Sequence, residues 1–370
     1  MSPVVITGLG VVSPLGHSVA ELTRRLLAGE RAVTGPDGGV LIDPLPLDAI
    51  PPDVRARLGR ADRLCRLFLA AGFLAVDDAA LKLDGADAER AGLSFGTGLG
   101  CLLSNAEFYA KVVEQGPPAA SPRVFAYTVS SAAAGEISIA LGLHGPNATS
   151  HSGLAAGVAA IGYGVDLIRM DKADVVLAGG ADANGAALVQ ALRDMRLLKD
   201  ADAAQPNRDS GAGIWPSEGA AVAVLEREDR ARARGARALA RIENYALGFE
   251  PTLTGPAPLR DGITTALRRA LDGSGRTARD IGAVVTSAHG TPIDAHERAA
   301  LRELLPDTPE RPMLAPKAGL GECFGASGAL GVALATGLLS DARRDPLDAV
   351  LVSALCYSGA VGAMVIARAP

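Results

Sequence analysis

The chain has 370 residues, 48% of them hydrophobic and 21% charged, and its 41 acidic against 36 basic side chains give a formal charge of −5. That composition excludes a disordered chain and a disulfide-stapled mini-protein, and it lacks the basic footprint of a nucleic-acid binder. At roughly 100–200 residues per domain the length corresponds to two domains or two fused halves. Cys65, Cys101, Cys323 and Cys356 are scattered and form no CxxC pair. Neither a metal site nor a redox dithiol is expected, and free thiols fit a reducing cytoplasm.

Taken in chain order, the N-terminal run Val4–Thr7 reads as a buried strand entering a glycine turn. It has neither the basic start nor the long apolar stretch of a signal peptide. Further strands are expected at Leu93–Gly96, Val175–Ala178, Ala220–Leu225, Ala240–Leu247, Ala283–Ser287, Val350–Ser353 and Ala363–Ala367. Helices are expected at Val19–Leu27, Arg63–Leu81, Ala132–Leu141, Leu154–Met170, Gly262–Leu271, Ala295–Leu304 and Ala326–Leu339. Strands alternating with helices and glycine turns indicate an α/β fold with mostly parallel sheets. No apolar run reaches about 18 residues, so no membrane span is expected and the location expected is cytoplasmic. The loops Thr34–Asp53 and Gln115–Ser121 are rich in Pro and Gly and are expected to cap surfaces or meet partners.

The chain hints at duplication. Leu93-Ser-Phe-Gly-Thr-Gly and Val285-Thr-Ser-Ala-His-Gly are both strand-to-glycine turns. Val175-Val-Leu-Ala and Val350-Leu-Val-Ser are both short strands following an Asp/Ala pair. The charged segment Arg227–Arg237 reads as a solvated joint, dividing the chain into halves 1–236 and 237–370. The turn Gly96-Thr-Gly-Leu-Gly100 is an incomplete GxGxxG with no acidic residue placed for a dinucleotide, so no nicotinamide cofactor is expected.

Five segments carry a more specific signal. They are Val4-Val-Ile-Thr-Gly-Leu-Gly-Val-Val-Ser-Pro-Leu-Gly16, Gly145-Pro-Asn-Ala-Thr-Ser-His-Ser-Gly-Leu-Ala-Ala-Gly157, Glu218-Gly-Ala-Ala-Val-Ala-Val-Leu-Glu226, Ala288-His-Gly-Thr-Pro292 with Glu297 beyond it, and Pro316-Lys-Ala-Gly-Leu-Gly-Glu-Cys-Phe-Gly-Ala-Ser-Gly328. In this order they resemble the β-ketoacyl-ACP synthase family, from Val4 to about Arg368. The resemblance implies a thiolase-like α-β-α-β-α sandwich of two duplicated halves.

In that family a cysteine on a strand-to-helix turn takes the acyl chain, its thiolate favoured by the helix N-terminus. Two histidines then assist decarboxylation. Mapped onto this chain, the cysteine position is Leu154, the first histidine is His289, and the second histidine position is Glu322, with Lys317 retained. The loop after His289 is two residues shorter than the family pattern. The gating loop reads Leu355, Cys356, Tyr357, Ser358, Gly359. A site without its thiol and one histidine resembles a chain-length factor, the non-catalytic partner of a ketosynthase in type II polyketide systems. The implied subunit makes a heterodimer with an active ketosynthase and shapes the polyketide tunnel. It needs no cofactor of its own, the phosphopantetheine being carried by the acyl carrier protein. Leu154 departs from the glutamine common among these factors. The short chain leans toward the highly reducing or polyene type.

Structural roles are expected for His289, as a hydrogen-bonding group in a closed pocket, and for Lys317 and Glu322, as a buried ion pair. The run Arg123–Glu136 corresponds to the heterodimer interface and the end of the tunnel. Phe125, Tyr127 and Val129 are its candidate stops, and Ser130 and Ala133 its candidate permissive positions. Two other readings stand beside this one. Ser152 (next to His151), Cys323 or Cys356 could be a displaced nucleophile of an active acyltransferase or decarboxylase. A homodimeric scaffold is the third.

Overall fold

The computed structural model describes residues 3–206, 211, 213–251, 261–305, 311–341 and 347–369. Strand β1 (Val4–Val12) is buried along its whole length. An unbroken apolar run of this kind marks a strand covered on both faces. The same holds for β2 (Ala91–Gly96), β4 (Val175–Asp182) and β9 (Ala349–Leu355).

Ten strands form one continuous sheet system in the order β3-β2-β4-β5-β1-β6-β10-β9-β7-β8. The remaining strands are β3 (Asn147–Ser150), β5 (Gly219–Arg227), β6 (Ala240–Phe249), β7 (Ile281–Val285), β8 (Met313–Leu314) and β10 (Ala360–Arg368). The order contains its own repeat. From β3 inward the pairings run parallel, parallel, antiparallel, antiparallel to β1, and from β8 inward they do the same to β6. The two sets of five meet only where Val4–Ile6 pair with Ala240–Ile242.

The helices complete five layers. The named ones are α1 (Val19–Leu27), α2 (Arg63–Asp78), α3 (Leu102–Gln115), α4 (Ala132–Leu141), α5 (Ala156–Arg169), α6 (Ala186–Asp194), α7 (Glu228–Ala233), α8 (Asp261–Asp272), α9 (Ile293–Leu304) and α10 (Gly325–Ser340). Helices α5 and α10 pack against each other between the two sets of strands, while α2 covers one outer face and α8 the other. Helix α10 is apolar all round and almost wholly buried, as a central helix must be. The expected thiolase-like α-β-α-β-α sandwich of two duplicated halves is therefore the fold observed.

Four expectations need correction. The sheet is not mostly parallel, since five of the nine strand pairings among the described residues are antiparallel. Strands β3 and β8 were not foreseen, because four polar residues (Asn-Ala-Thr-Ser) and a two-residue strand give no apolar periodicity. The segment Arg227–Arg237 is not simply a solvated joint. It contains α7, and Arg230 and Arg234 turn inward to clamp the fully buried Glu226, Arg234 Nη2 to Glu226 Oε1 at 2.6 Å. The loop Thr34–Asp53 is more than a surface cap, since Val40, Ile42 and Ile50 are core residues.

Helices α5 and α10 approach so closely that a Cβ added to Gly157 would lie 2.6 Å from Ala329 N and 2.8 Å from Gly325 O. Both obstacles are backbone and cannot swing aside. Gly157→Ala should therefore cost about 1–3 kcal/mol of unfolding free energy, read as a lower denaturant midpoint, whereas the same change at open Gly135 should cost far less.

Candidate functional site

The site lies where the N-terminal ends of α5 and α10 converge. A single helical turn, Gly153–Ala155, leads into α5. Gly153 has φ +56°, and a Cβ there would lie 2.4 Å from Cys356 Sγ, so glycine is required on both counts. Leu154 follows, 5% exposed, and packs with Leu188 and Leu192 of α6, Phe324 and Cys356. Leucine carries no nucleophilic atom. The position that the family resemblance gives to a thiol is thus an apolar plug.

At the second helix end, Phe324 adopts φ +50°, a conformation rare for an aromatic residue. Glu322 holds it there. Its Oε1 accepts from Phe324 N at 3.0 Å and from Ser327 Oγ at 2.7 Å. Its Oε2 lies 2.8 Å from Lys317 Nζ, which also donates to Ser287 Oγ at 2.9 Å. Glu322 is 0% exposed and Lys317 is 4% exposed. Burial alone would raise the Glu322 carboxyl, but Lys317 and the accepted hydrogen bonds outweigh it and hold the group below its ordinary range. A carboxylate at a helix N-terminus also complements the helix dipole. The buried ion pair and the cap on α10 are one construction.

His289, 2% exposed, shares a 2.7 Å hydrogen bond between its Nε2 and Tyr357 Oη. Its Nδ1 has no hydrogen-bond partner among the described residues. Burial, reinforced by the positive charge of Lys317, lowers the imidazole to about 4, so it is neutral near pH 7. Burial, and then the nearby Glu322 carboxylate, push the Tyr357 phenol well above its usual value, so it keeps its proton. The bond between them ties the loop after β9 across the site. The void left beneath Leu154, lined also by Ser287, Lys317, Ser327 and Ser353, is about 10 Å³. That is room for one water and no acyl chain.

The structure thus gathers Leu154, Cys356 and Tyr357 at one place, with Lys317, Glu322 and His289 alongside. Leu355 ends β9, its N–H bound by Ser287 Oγ at 3.1 Å. The displaced-nucleophile candidates are poorly placed. Cys323 is buried, donates to Glu218 O at 3.3 Å, and burial pushes its thiol far above the ordinary range. Cys356 Sγ accepts from Ser358 Oγ at 3.2 Å inside the apolar cluster. Ser152 Oγ pairs with Ser150 Oγ at 3.1 Å rather than with a histidine. His151 and Ser152 are not strand residues, because β3 ends at Ser150 and both lie in the turn after it.

The Arg123–Glu136 segment is not one helix. A short turn, Pro122–Phe125, is separated from α4 by an irregular stretch. Phe125 is 60% and Val129 52% exposed, whereas Ala133 is buried in the outer core. Tyr127 turns inward and donates to Glu136 Oε1 at 2.9 Å. Ser130 is half-buried beside the turn at Gly100.

Sequence reasoning missed Asp182 at the end of β4. It is fully buried and accepts from Thr97 Oγ1 at 2.5 Å, Gly325 N at 2.6 Å, Gly98 N at 2.7 Å and Leu99 N at 3.1 Å. Burial pushes its carboxyl up to about 6 against those bonds. It pins the Gly96–Gly100 turn to the start of α10. The available signal was an aspartate closing an otherwise apolar strand. Glu297, another buried carboxyl, is pushed up by burial to about 7 and is bound by Ser287 N at 2.8 Å and by the Ser353 hydroxyl. Among the described residues no group of three or more His, Cys, Asp or Glu is arranged to hold a metal.

The comparisons with known proteins agree with this geometry. A sequence-family model described as "Beta-ketoacyl synthase, N-terminal domain" matches residues 38–231, and its C-terminal counterpart matches residues 239–344. The chain belongs to the beta-ketoacyl synthase family. This ketosynthase-family chain is 31% identical over 358 residues to the "Tetracenomycin polyketide synthase ketoacyl synthase alpha subunit" of Streptomyces glaucescens, covering 89% of this chain and 83% of the relative. It superposes with TM-score 0.84 and 28% identity on "The ishigamide ketosynthase/chain length factor", over 100% of both chains. A "Beta-ketoacyl synthase from Burkholderia phymatum STM815", at 24% identity and TM-score 0.86 over 100% of both chains, shares the fold. Among the described residues no helix of this family member is long and apolar enough to cross a membrane.

Two outcomes follow from the buried charges. Glu322→Gln leaves Lys317 buried without its counter-charge and should destabilise the protein by roughly 3–5 kcal/mol in urea unfolding, while Lys317→Met with Glu322→Leu should recover part of the loss. His289 is neutral when folded, but in the unfolded chain its imidazole takes up a proton below the ordinary histidine value of 6.5. Its contribution is full above that value and declines as pH falls toward about 4. The stability advantage of wild type over His289→Gln should therefore shrink between about pH 7 and about pH 5 in paired urea titrations.

Proposed function

We propose that this chain is a non-catalytic chain-length factor. It pairs with an active ketosynthase and limits the polyketide chain by the shape of the tunnel it helps enclose. The observation that carries this reading is the apolar plug Leu154, with only about 10 Å³ beneath it, where the family resemblance places the acyl-accepting thiol. Chemistry belongs to the partner's cysteine and histidines, and the phosphopantetheine arm of the acyl carrier protein delivers the growing chain there. The likeness to the ishigamide ketosynthase/chain length factor supports this assignment.

The partner's place is argued from the edge of the sheet. Among the described residues β3 is bonded to a neighbouring strand on one side only. Helix α4, which packs against it, presents exposed Ile139, and other exposed apolar side chains are Tyr109 and Val113 on α3, Phe125 and Val129. Exposed apolar groups of this size beside an open strand suit a large, apolar, permanent interface. In the proposed complex Phe125 and Val129 are stops at the tunnel's far end, Tyr127 supports that wall, and Ser130 and Ala133 are the permissive positions. Leu355, Cys356 and Tyr357 form a permanently closed gate. His289, Lys317 and Glu322 are the structural remnant of the reactive site. The division into halves 1–236 and 237–370 fits the change of family model between residues 231 and 239.

Native mass spectrometry of the protein purified from its own host should show a one-to-one complex with a cysteine-bearing ketosynthase, and a stable homodimer alone would overturn the reading. Intact-mass analysis after incubation with an acyl thioester should show no adduct. A mass gain mapped to Ser152, Cys323 or Cys356 would establish a displaced nucleophile instead. In the reconstituted complex, Phe125→Ala should shift the products toward longer chains.

A further inference from the structure

A cavity of about 620 Å³ lies far from the plugged site. Its wall includes Thr336 and Gly337 near the C-terminal end of α10, whereas the plugged site adjoins the other end at Gly325. At 1.5 Å per residue the separation along the helix is about 18 Å. The volume falls in the range of small-molecule pockets.

The cavity has an apolar body and an acidic rim. Leu9, Val19 and Leu74 supply hydrocarbon. Thr23, only 3% exposed, forms part of the wall, and its Oγ1 has no hydrogen-bond partner among the described residues. His17 Nδ1, on the same wall, is likewise without a partner. Buried polar atoms of this kind cost free energy unless something pairs with them.

Electrostatics select the ligand. Helix α2 ends at the cavity with Asp77 and Asp78 and no basic residue in its last turn. Helix α10 ends there with Asp341 as its C-cap, again with no basic residue in the last turn. Carboxylates at helix C-termini add to the negative end of the dipole, the reverse of the stabilising arrangement. Asp78 Oδ2 is used by Leu9 N at 2.8 Å, but Asp77 makes no ion pair among the described residues. Arg237 is the one arginine or lysine of the described lining, set against Asp77 and Asp78, while Asp341 has a partner of its own. His17 is held neutral, since burial outweighs the pull of Glu21.

We propose that this cavity is a second ligand site, taking a small organic cation whose ammonium group faces Asp77 and whose hydrocarbon body lies along Leu9, Val19 and Leu74. The site is independent of the plugged acyl site and of the chain-length reading.

Calorimetric titration of the full chain with hexylammonium, hexanoate and hexanol tests it, because the three probes share one apolar body. Hexylammonium should bind one per chain, at least about tenfold more tightly than hexanoate. Ala20→Phe, which adds bulk from an exposed position on the cavity wall, should weaken hexylammonium at least about tenfold, and a far-UV melt confirms that the variant is folded. Asp77→Asn, also at an exposed position, should weaken hexylammonium and leave hexanol unchanged. Saturable binding of hexanoate as tight as hexylammonium, binding indifferent to both variants, or no saturable binding of any probe would overturn the proposal.

Discussion

The close approach of α5 to α10 at Gly157 is the contact on which the rest of the structure depends. It is possible only because no side chain intervenes between the α5 backbone and Gly325 and Ala329. It brings two helix N-termini to the same place, and with them the positive ends of two helix dipoles. An active ketosynthase, by the family resemblance, uses such a field to favour a thiolate. Here one helix end receives Leu154, which has no charge to stabilise. The other receives Glu322, which is satisfied by Lys317, Phe324 N and Ser327. The same electrostatic opportunity is spent on holding the fold together.

The site is consequently closed by mutual satisfaction rather than by simple filling. Lys317 has its carboxylate, Ser287 links Lys317 to β9, and the Tyr357–His289 bond ties the loop after β9 across the top. Reactive groups in enzymes usually retain an unmet demand that the substrate meets. Among these residues His289 Nδ1 has no hydrogen-bond partner, and Glu322 Oε2 has only its ion pair with Lys317. Asp182 extends the same logic by fastening the glycine turn after β2 to the start of α10.

Much of the architecture was legible because the long strands and central helices bury unbroken apolar runs. β1, β4 and β9, and helices α1 and α4, fall where periodicity places them, although the strands extend further than the apolar core of each run. The edge strands were not legible. Asn147–Ser150 is polar and acquires its extended form from pairing with β2, which is a tertiary fact. At the site, the loss of the nucleophile was readable from one letter, Leu154. The neutral state of His289 was not, since it depends on burial and on Lys317, remote in sequence. Asp182 and the inward turn of Arg230 and Arg234 were hidden for the same reason: polar residues inside a core take their meaning from partners the chain brings from far away.

The open side of β3 has a bearing on how much of this protein a cell can hold. A bare strand edge pairs with any extended segment that meets it, whether or not that segment is the right one. Chains made in excess of the proposed partner would queue with that edge uncovered, beside the α4 that carries exposed Ile139, and would be the first to clump. With the proposed partner seated on that edge, the four residues Asn147–Ser150 would set a dosage requirement: synthesis of this chain would have to keep step with synthesis of that partner.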